Sequence, residues 1–172
     1  MTTRAEDAMT TSALDVDGFL TDPGVRILLC CGAGGVGKTT TAINLGAALA
    51  ELGQDVTVID LDPQGNASTG LGITHAQRTR STYDVLIERG GLVEAAVVTA
   101  IPNLSVVPAT VDLSGAEIEL VELDSRTHRL RRAIETADPR WDVMLIDCPP
   151  SLGLLTINAM VAADALLVPL QC

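Results

Sequence analysis

The sequence predicts an α/β protein of three layers, in which helices cover both faces of a mostly parallel, doubly wound β-sheet. Apolar runs short enough for strands alternate along the chain with helical patterns, as the β-α units of a parallel sheet require. Aromatic residues make up only 2% of the 172 residues, whereas 47% are hydrophobic. The core is therefore expected to consist of Ala, Val, Leu and Ile, the side chains that fill strands buried on both faces.

A glycine-rich loop connects the first predicted strand to the first long helix. The strand covers residues 25–31, the loop residues 32–39 and the helix residues 40–52, with Gly53 as the C-cap. The loop fits the pattern G-x-x-x-x-G-K-[ST] in the strand, loop and helix context that the pattern requires. It predicts a phosphate-binding site, in preference to a glycine-rich turn that matches by chance.

The residue types of this loop suit a polyphosphate. Residues without a Cβ let backbone N–H groups approach the anion, and the following helix adds the positive end of its dipole. Lys38, the only lysine in the chain, is expected to reach the β- and γ-phosphates, and the Thr39 hydroxyl to ligate Mg²⁺. The predicted nucleotide-binding residues are Gly34, Gly35, Val36, Gly37, Lys38, Thr39 and Thr40.

Carboxylates follow the second predicted strand, residues 55–59. The carboxyl end of a strand beside the phosphate loop is where open α/β sheets bind their ligands. Pro63 and Gly65 shape a loop around Asp62, which makes Asp62 the more specific candidate. For Asp60, a solvated carboxylate at the end of a strand is an equally good interpretation.

A second acidic strand end is predicted at Asp147, which closes the largely apolar strand of residues 141–147. An Asp in this position is expected to hold the Mg²⁺ shell of a phosphate-binding loop. The turn at residues 148–151 contains two prolines and cannot be helical, which suits a segment that senses a γ-phosphate.

The remaining pattern predicts short helices over residues 70–100, with Ser81 capping residues 83–89, and a strand over residues 104–107. Residues 111–117 are expected to lead into a helix that runs through residue 123. Further helices are expected over residues 126–137, capped by Ser125, and 154–162, and a last strand over residues 165–170. Because the chain stops directly after this strand, the sheet is expected to be incomplete on its C-terminal side and the chain to be a fragment.

The formal net charge is −11, from 11 basic and 22 acidic residues, which argues against nucleic-acid binding by this segment alone. Five arginines do cluster near one predicted helix, and we interpret them as a solvated helix face rather than a DNA-facing patch because acidic residues surround them. They are Arg126, Arg129, Arg131, Arg132 and Arg140.

Residues 1–24 are polar and acidic and are expected to form a flexible leader. They lack the basic flank and apolar centre of a signal peptide, and no run is long enough to span a bilayer. The four cysteines form no C-x-x-C spacing, so buried, reduced thiols are expected rather than a zinc site. A cytoplasmic location without membrane attachment follows as the expectation.

Four stretches together resemble the ParA/Soj chromosome- and plasmid-partitioning ATPases, relatives of MinD. They are GGVGKTTT at residues 34–41, DLDPQGN at 60–66, VDLSGAE at 111–117 and DCPPSLG at 147–153. The resemblance covers residues 25–172 and implies a P-loop NTPase domain that binds ATP and Mg²⁺.

The resemblance also implies how the protein works. ParA-like proteins form an ATP-dependent homodimer that binds nonspecific DNA, and a ParB-like partner stimulates hydrolysis. Carried over, Lys38 and Thr39 bind phosphate and Mg²⁺, and Lys38 also counts among the catalytic residues. Asp62 positions or polarises the attacking water and belongs with Thr39 and Asp147 to the Mg²⁺ site. The DNA-binding surface of the family belongs to a C-terminal part beyond this chain, and a DNA-bound protein would lie on the nucleoid.

One position departs from the family pattern. The family has a signature lysine that reaches the partner's ATP where this chain has Ala33. Losing a cation that acts in trans can lower the rate about 10³-fold or more. We therefore expect weak hydrolysis and weak dimerisation. The alternatives are a MinD-like regulator at the membrane and a noncatalytic nucleotide-binding module.

Overall fold

A six-stranded sheet with helices on both faces confirms the predicted fold class. The computed structural model describes residues 26–30, 37–137 and 140–169, so the predicted leader lies outside the described residues. In chain order the elements are β1 (Ile27–Cys30), α1 (Lys38–Glu51), β2 (Val56–Asp60), α2 (Asn66–Gly70), a 3₁₀ turn (His75–Gln77), α3 (Thr82–Leu86), α4 (Leu92–Ala95), β3 (Val97–Val98), β4 (Leu104–Val107), α5 (Leu113–Val121), α6 (Arg129–Thr136), β5 (Val143–Asp147), α7 (Leu154–Ala162) and β6 (Ala165–Leu167).

The strand order is β3-β4-β2-β5-β1-β6. Every pairing is parallel except that of β3, which runs antiparallel to β4 at one edge. In the centre of the sheet, Asp147 at the end of β5 is level with Cys30 on one side and with Asp60 on the other. The carboxyl ends of β1, β2 and β5 therefore meet at one edge, where open α/β sheets bind ligands.

Two apolar cores lie on opposite faces of the sheet. Neighbouring residues of each strand point to opposite faces, so Leu145 packs into one core and Ile146 into the other. Helices α1 and α2 cover the first face, and α3 to α7 cover the second. Burial on both faces explains why the strands are continuous apolar runs rather than alternating ones.

The predicted cap of the arginine-rich helix is wrong. Ser125 lies in the left-handed region with a φ of 54°, and α6 begins only at Arg129. The side chain of Asn158 on α7 takes the capping role instead, because its Oδ1 accepts hydrogen bonds from Arg129 N (3.0 Å) and Leu130 N (3.3 Å). Its Nδ2 donates to the carbonyl oxygens of Arg126 (2.8 Å) and Leu154 (2.9 Å).

The interpretation of the arginine cluster as a solvated face is wrong for one member. Arg129 is only 8% exposed, and its guanidinium donates to the carbonyl oxygens of Leu86 and Asp124. Arg131 is half-buried and pairs with Glu135 at 2.8 Å, while Arg126, Arg132 and Arg140 are exposed.

Other elements follow the prediction more closely. The strand over residues 104–107 and the helix over residues 154–162 have the predicted bounds, and Ser81 caps its helix together with Asp84. Strand β3 was not predicted, because two residues at a sheet edge leave no recognisable pattern. Among the described residues, no helix has the length and apolar character needed to cross a bilayer.

Candidate functional site

The end of the glycine-rich loop is held in the conformation that the motif requires. Gly37 has a φ of 97°, which L-residues with a side chain rarely adopt, and it precedes the first residue of α1. That residue is Lys38, which is only 6% exposed. The predicted binding residues Gly34, Gly35 and Val36 lie outside the described residues, as does Ala33.

A cleft of about 670 Å³ opens at the carboxyl edge of the sheet. It brings together three segments that are far apart in the sequence: the start of α1, the loop after β2 and the turn after β5. The lining residues are Gly37, Lys38, Thr39, Thr40, Ile43, Asp62, Gln64, Asn66, Cys148 and Pro150. The described loop residues of the predicted site therefore share one cleft with Asp62.

Asp147 is buried, with 1% of its surface exposed, beside this cleft. The burial raises the pKa of Asp147 to about 7, and the nearby charges of Asp60 and Asp62 add to the rise. Thr39 and Lys38 act in the opposite direction and lower it. The Thr39 hydroxyl is thus close, yet within the described residues neither Asp147 oxygen has a hydrogen-bond partner of ordinary geometry.

These properties fit a ligand of a divalent cation or of its water shell, because a buried carboxylate whose two oxygens lack hydrogen-bond partners can accept a cation. The part of the chain that the structure describes contains no cluster of three or more His, Cys, Asp or Glu residues able to hold a metal. Phosphate and water would have to complete the coordination, which is how Mg²⁺ is usually bound at nucleotide sites.

Asp60 is not the solvated carboxylate that the sequence allowed. It is fully buried, and its Oδ2 accepts hydrogen bonds from the backbone N (2.8 Å) and the Oγ (2.7 Å) of Ser68. Its Oδ1 accepts a third from Asp62 N at 3.1 Å. Burial raises the pKa of Asp60, although the Ser68 hydrogen bonds lower it. Asp60 thus anchors the loop that carries Asp62.

Asp62 begins a tight turn. Gly65 N donates to the Asp62 carbonyl oxygen at 2.8 Å, and Gln64 N donates to Asp62 Oδ1 at 2.9 Å. Gly65 has a φ of 63°, so the turn depends on glycine at this position. The side chain of Asp62 is half-buried and lines the cleft, as its predicted role requires.

The turn after β5 is tied to the strand that precedes the glycine loop. Cys148 Sγ donates to the Cys30 carbonyl oxygen at 3.3 Å, and both cysteines are buried as expected. Neighbouring Pro150 lines the cleft. A movement of this turn would therefore displace atoms both in the lining of the cleft and at the end of β1.

Three residues of the cleft had no predicted role. Gln64 and Asn66 lie in the stretch that carried the family resemblance, and their polar side chains were the available signal. Ile43 lies one helical turn after Thr39, so helical periodicity could have placed it on the same face.

A family model and several curated proteins resemble this chain in sequence. A family model, AAA_31, described as an AAA domain, matches residues 25–172. The chain is 60% identical over 141 residues to the chromosome partitioning protein ParA of Caulobacter vibrioides, covering 81% of this chain and 53% of that protein. It is 52% identical over 139 residues to the sporulation initiation inhibitor protein Soj of Bacillus subtilis, covering 81% and 55%. The chain thus spans about half the length of these curated relatives.

Among solved structures, the fold matches that of a cobyrinic acid a,c-diamide synthase from Mycobacterium smegmatis with bound ATP analog and magnesium. The TM-score is 0.80 and the sequence identity 42%, and the match covers 86% of this chain and 61% of that one.

Proposed function

Because this chain belongs to the AAA domain family AAA_31 and is of the ParA/Soj type, we propose that it is the nucleotide-binding part of a partitioning ATPase. The observation that carries the proposal is the shared cleft, in which Lys38 and Thr39 face the turn of Asp62. The identities of 60% and 52% to ParA and Soj exceed the 42% to the diamide synthase, which favours a role in partitioning over one in biosynthesis.

The ligand of the cleft is proposed to be ATP with Mg²⁺. Gly37, Lys38 and Thr40 would bind the phosphates together with the preceding loop residues, and Thr39 and Asp147 would hold the metal shell. When bound, Mg²⁺ supplies charge neutralisation at the phosphates. Asp62 is proposed to orient the attacking water, because it is the acidic side chain that lines the cleft.

The nucleotide is proposed to act as a switch for assembly. By analogy with the ParA/Soj type, ATP would favour a homodimer in the cytoplasm, and a ParB-like partner would stimulate hydrolysis. The net charge of −11 supports placing contact with nonspecific DNA, and hence any nucleoid association, outside this chain. Ala33 stands where the family has its trans-acting lysine, so basal hydrolysis is proposed to be slow.

The protein that contains this chain can test the switch directly. Sedimentation would be followed with Mg-ATP or Mg-ADP, each with and without DNA, a ParB-like partner or anionic vesicles. The proposal expects a larger species with ATP than with ADP, and ATP turnover that rises when DNA and the partner are added. Binding to vesicles instead of DNA would support a MinD-like regulator. Nucleotide binding without any change in assembly or turnover would reject the switch.

A further inference from the structure

Arg78 is a buried cation that holds together segments around the Asp62 turn. Only 7% of its surface is exposed. Its Nη1 donates to the Ala109 carbonyl oxygen at 3.0 Å, and its Nη2 donates to Thr69 Oγ1 at 2.8 Å and to the Ile73 carbonyl oxygen at 3.0 Å. One guanidinium therefore joins α2, the residues that follow α2, and the end of β4.

The guanidinium also packs directly against the turn. A Cβ added at Gly65 would clash with Arg78 Nη1, so the main chain approaches the cation as closely as glycine allows. Thr69 Oγ1 forms a second link, because it accepts from Arg78 and donates to the Gly65 carbonyl oxygen at 2.9 Å. Arg78 thus supports the end of the turn that Asp62 begins.

The other end of the turn is held by a separate set of hydrogen bonds. Asp60 accepts from Asp62 N and from Ser68, and Ser68 Oγ accepts from Ala109 N at 3.1 Å. Ala109 is therefore common to both sets, because its N–H donates to Ser68 Oγ and its carbonyl oxygen accepts from Arg78. The Asp62 turn is fixed from two sides against the same point after β4.

The buried charge of Arg78 makes the arrangement depend on the positions of its hydrogen-bond partners. Within the described residues, no carboxylate forms an ion pair with Arg78 and its Nε has no hydrogen-bond partner, so the two carbonyl oxygens and the hydroxyl oxygen that accept from its Nη atoms compensate the buried charge. A buried charge is tolerated only where such partners are well placed. The flat guanidinium reaches several acceptors at once, whereas a lysine ammonium is a single point charge that cannot reproduce this fork.

We infer that Arg78 is a positioning residue, which fixes the Asp62 turn against the end of β4 and so keeps Asp62 directed into the phosphate cleft. Arg78 does not line that cleft, so it acts through the turn rather than on the nucleotide. The inference rests on the proposed role of Asp62 in hydrolysis only for its effect on turnover. The structural effect on the turn can be measured without nucleotide.

The first arm of the test is amide hydrogen exchange of the nucleotide-free protein that contains this chain, in the Arg78→Lys variant. The reporters are the amides of Gln64, Gly65 and Thr69, which are hydrogen-bonded within the turn and at the start of α2. Their exchange is expected to accelerate about tenfold or more, as the loss of a charged hydrogen-bond network implies. Amides of β5 should keep their rates, which separates a local effect from a loss of global stability.

Arg80→Lys is the matched control, because Arg80 lies two residues away on the surface and, within the part of the chain that the structure describes, bonds only to Arg89 and Glu94. Its exchange rates should equal those of the parent. If Arg78→Lys does not fold, Thr69→Val removes the hydroxyl that links Arg78 to Gly65 and should accelerate exchange of the Gln64 and Gly65 amides. Unchanged exchange of these amides in the substituted protein would overturn the inference.

The second arm compares kcat with the affinity for Mg-ATP. A positioning role predicts that Arg78→Lys lowers kcat about tenfold while the Kd of Mg-ATP changes less than about threefold, because Lys38 and the loop are untouched. Faster amide exchange in the turn together with an unchanged kcat would overturn the link to Asp62. A parent without any turnover would reject the proposed ATPase, while the exchange rates would still decide whether Arg78 fixes the turn.

Discussion

Asp60 and Asp147 lie opposite each other at the carboxyl ends of the adjacent parallel strands β2 and β5. Burial raises the pKa of both carboxyl groups, yet their surroundings differ. Asp60 accepts hydrogen bonds from Ser68 and from the backbone of Asp62. Thr39 and Lys38 lie near enough to Asp147 to lower its pKa, but neither Asp147 oxygen has a hydrogen-bond partner of ordinary geometry among the described residues, so Asp147 is the carboxylate left available to a metal.

The first prediction concerns pH and the stability of the protein without nucleotide. The pKa of Asp147 is about 7 in the folded state against 3.8 for an ordinary Asp, so between these values the folded state holds a proton that the unfolded state has released. Stability must fall with rising pH over this range. The part of the fall that is due to Asp147 should disappear in Asp147→Asn.

Chemical unfolding of both proteins at a series of pH values, without Mg²⁺, would measure this difference. Asp147→Asn should become more stable relative to the parent as the pH rises from about 4 to about 7, and the difference should stay constant above that range. Parallel curves for the two proteins would contradict the buried, unpartnered state of Asp147.

The second prediction separates binding from hydrolysis. Asp62→Asn should lower kcat about 10²-fold or more, because a group that orients or deprotonates water contributes that much. The Kd of Mg-ATP should change little, since the phosphate contacts come from α1 and its preceding loop. Glu122→Gln makes the same change of charge at an exposed position and should alter neither quantity. Equal losses in affinity and kcat would assign Asp62 to ground-state binding.

The third prediction concerns Ala33. Ala33→Lys should raise ATP turnover about 10³-fold if a lysine in this position supplies the missing cation of a dimeric active site. The increase should depend on protein concentration, because the charge would act on the ATP of the partner. Single-turnover rates at several concentrations would measure it, and equal turnover in parent and variant would reject the hypothesis.

The fourth prediction is a loss of stability. Asn158 is fully buried, and its amide makes hydrogen bonds with α6, with Arg126 and with its own helix α7. Asn158→Ala would leave these backbone groups unsatisfied and should lower the free energy of unfolding by about 3 kcal/mol. Asn44→Ala, on the exposed face of α1, should change it little. Thermal unfolding of both variants would show whether the amide of Asn158 has this effect.

Local patterns predicted the elements and much of the candidate site. Short continuous stretches can be recognised from their residue types alone, and the site contains three of this kind: the glycine loop, the helix after it and the acidic strand ends. The topology of a parallel sheet then brings the ends of β1, β2 and β5 to one edge, which is why Lys38, Asp62 and Cys148 could be expected to meet.

Contacts between distant segments could not be predicted in this way. The cap of α6 comes from Asn158, about thirty residues further along, and nothing near Ser125 indicates it. Asp60 is structural because Ser68 folds back onto it, which only the course of the loop reveals. In the sequence, Arg78 resembles the other polar residues of its segment. Its burial results from contacts with Gly65 and Ala109, which only the fold brings close.

The most direct test of the central claim is a titration of the protein that contains this chain with ATP, with and without Mg²⁺, for the parent and for Lys38→Ala. The account predicts affinity that requires Mg²⁺ and that falls about 30-fold or more in Lys38→Ala, since truncating a buried charged contact costs at least about 2 kcal/mol. Affinity that is independent of Mg²⁺, or equal in the two proteins, would contradict it.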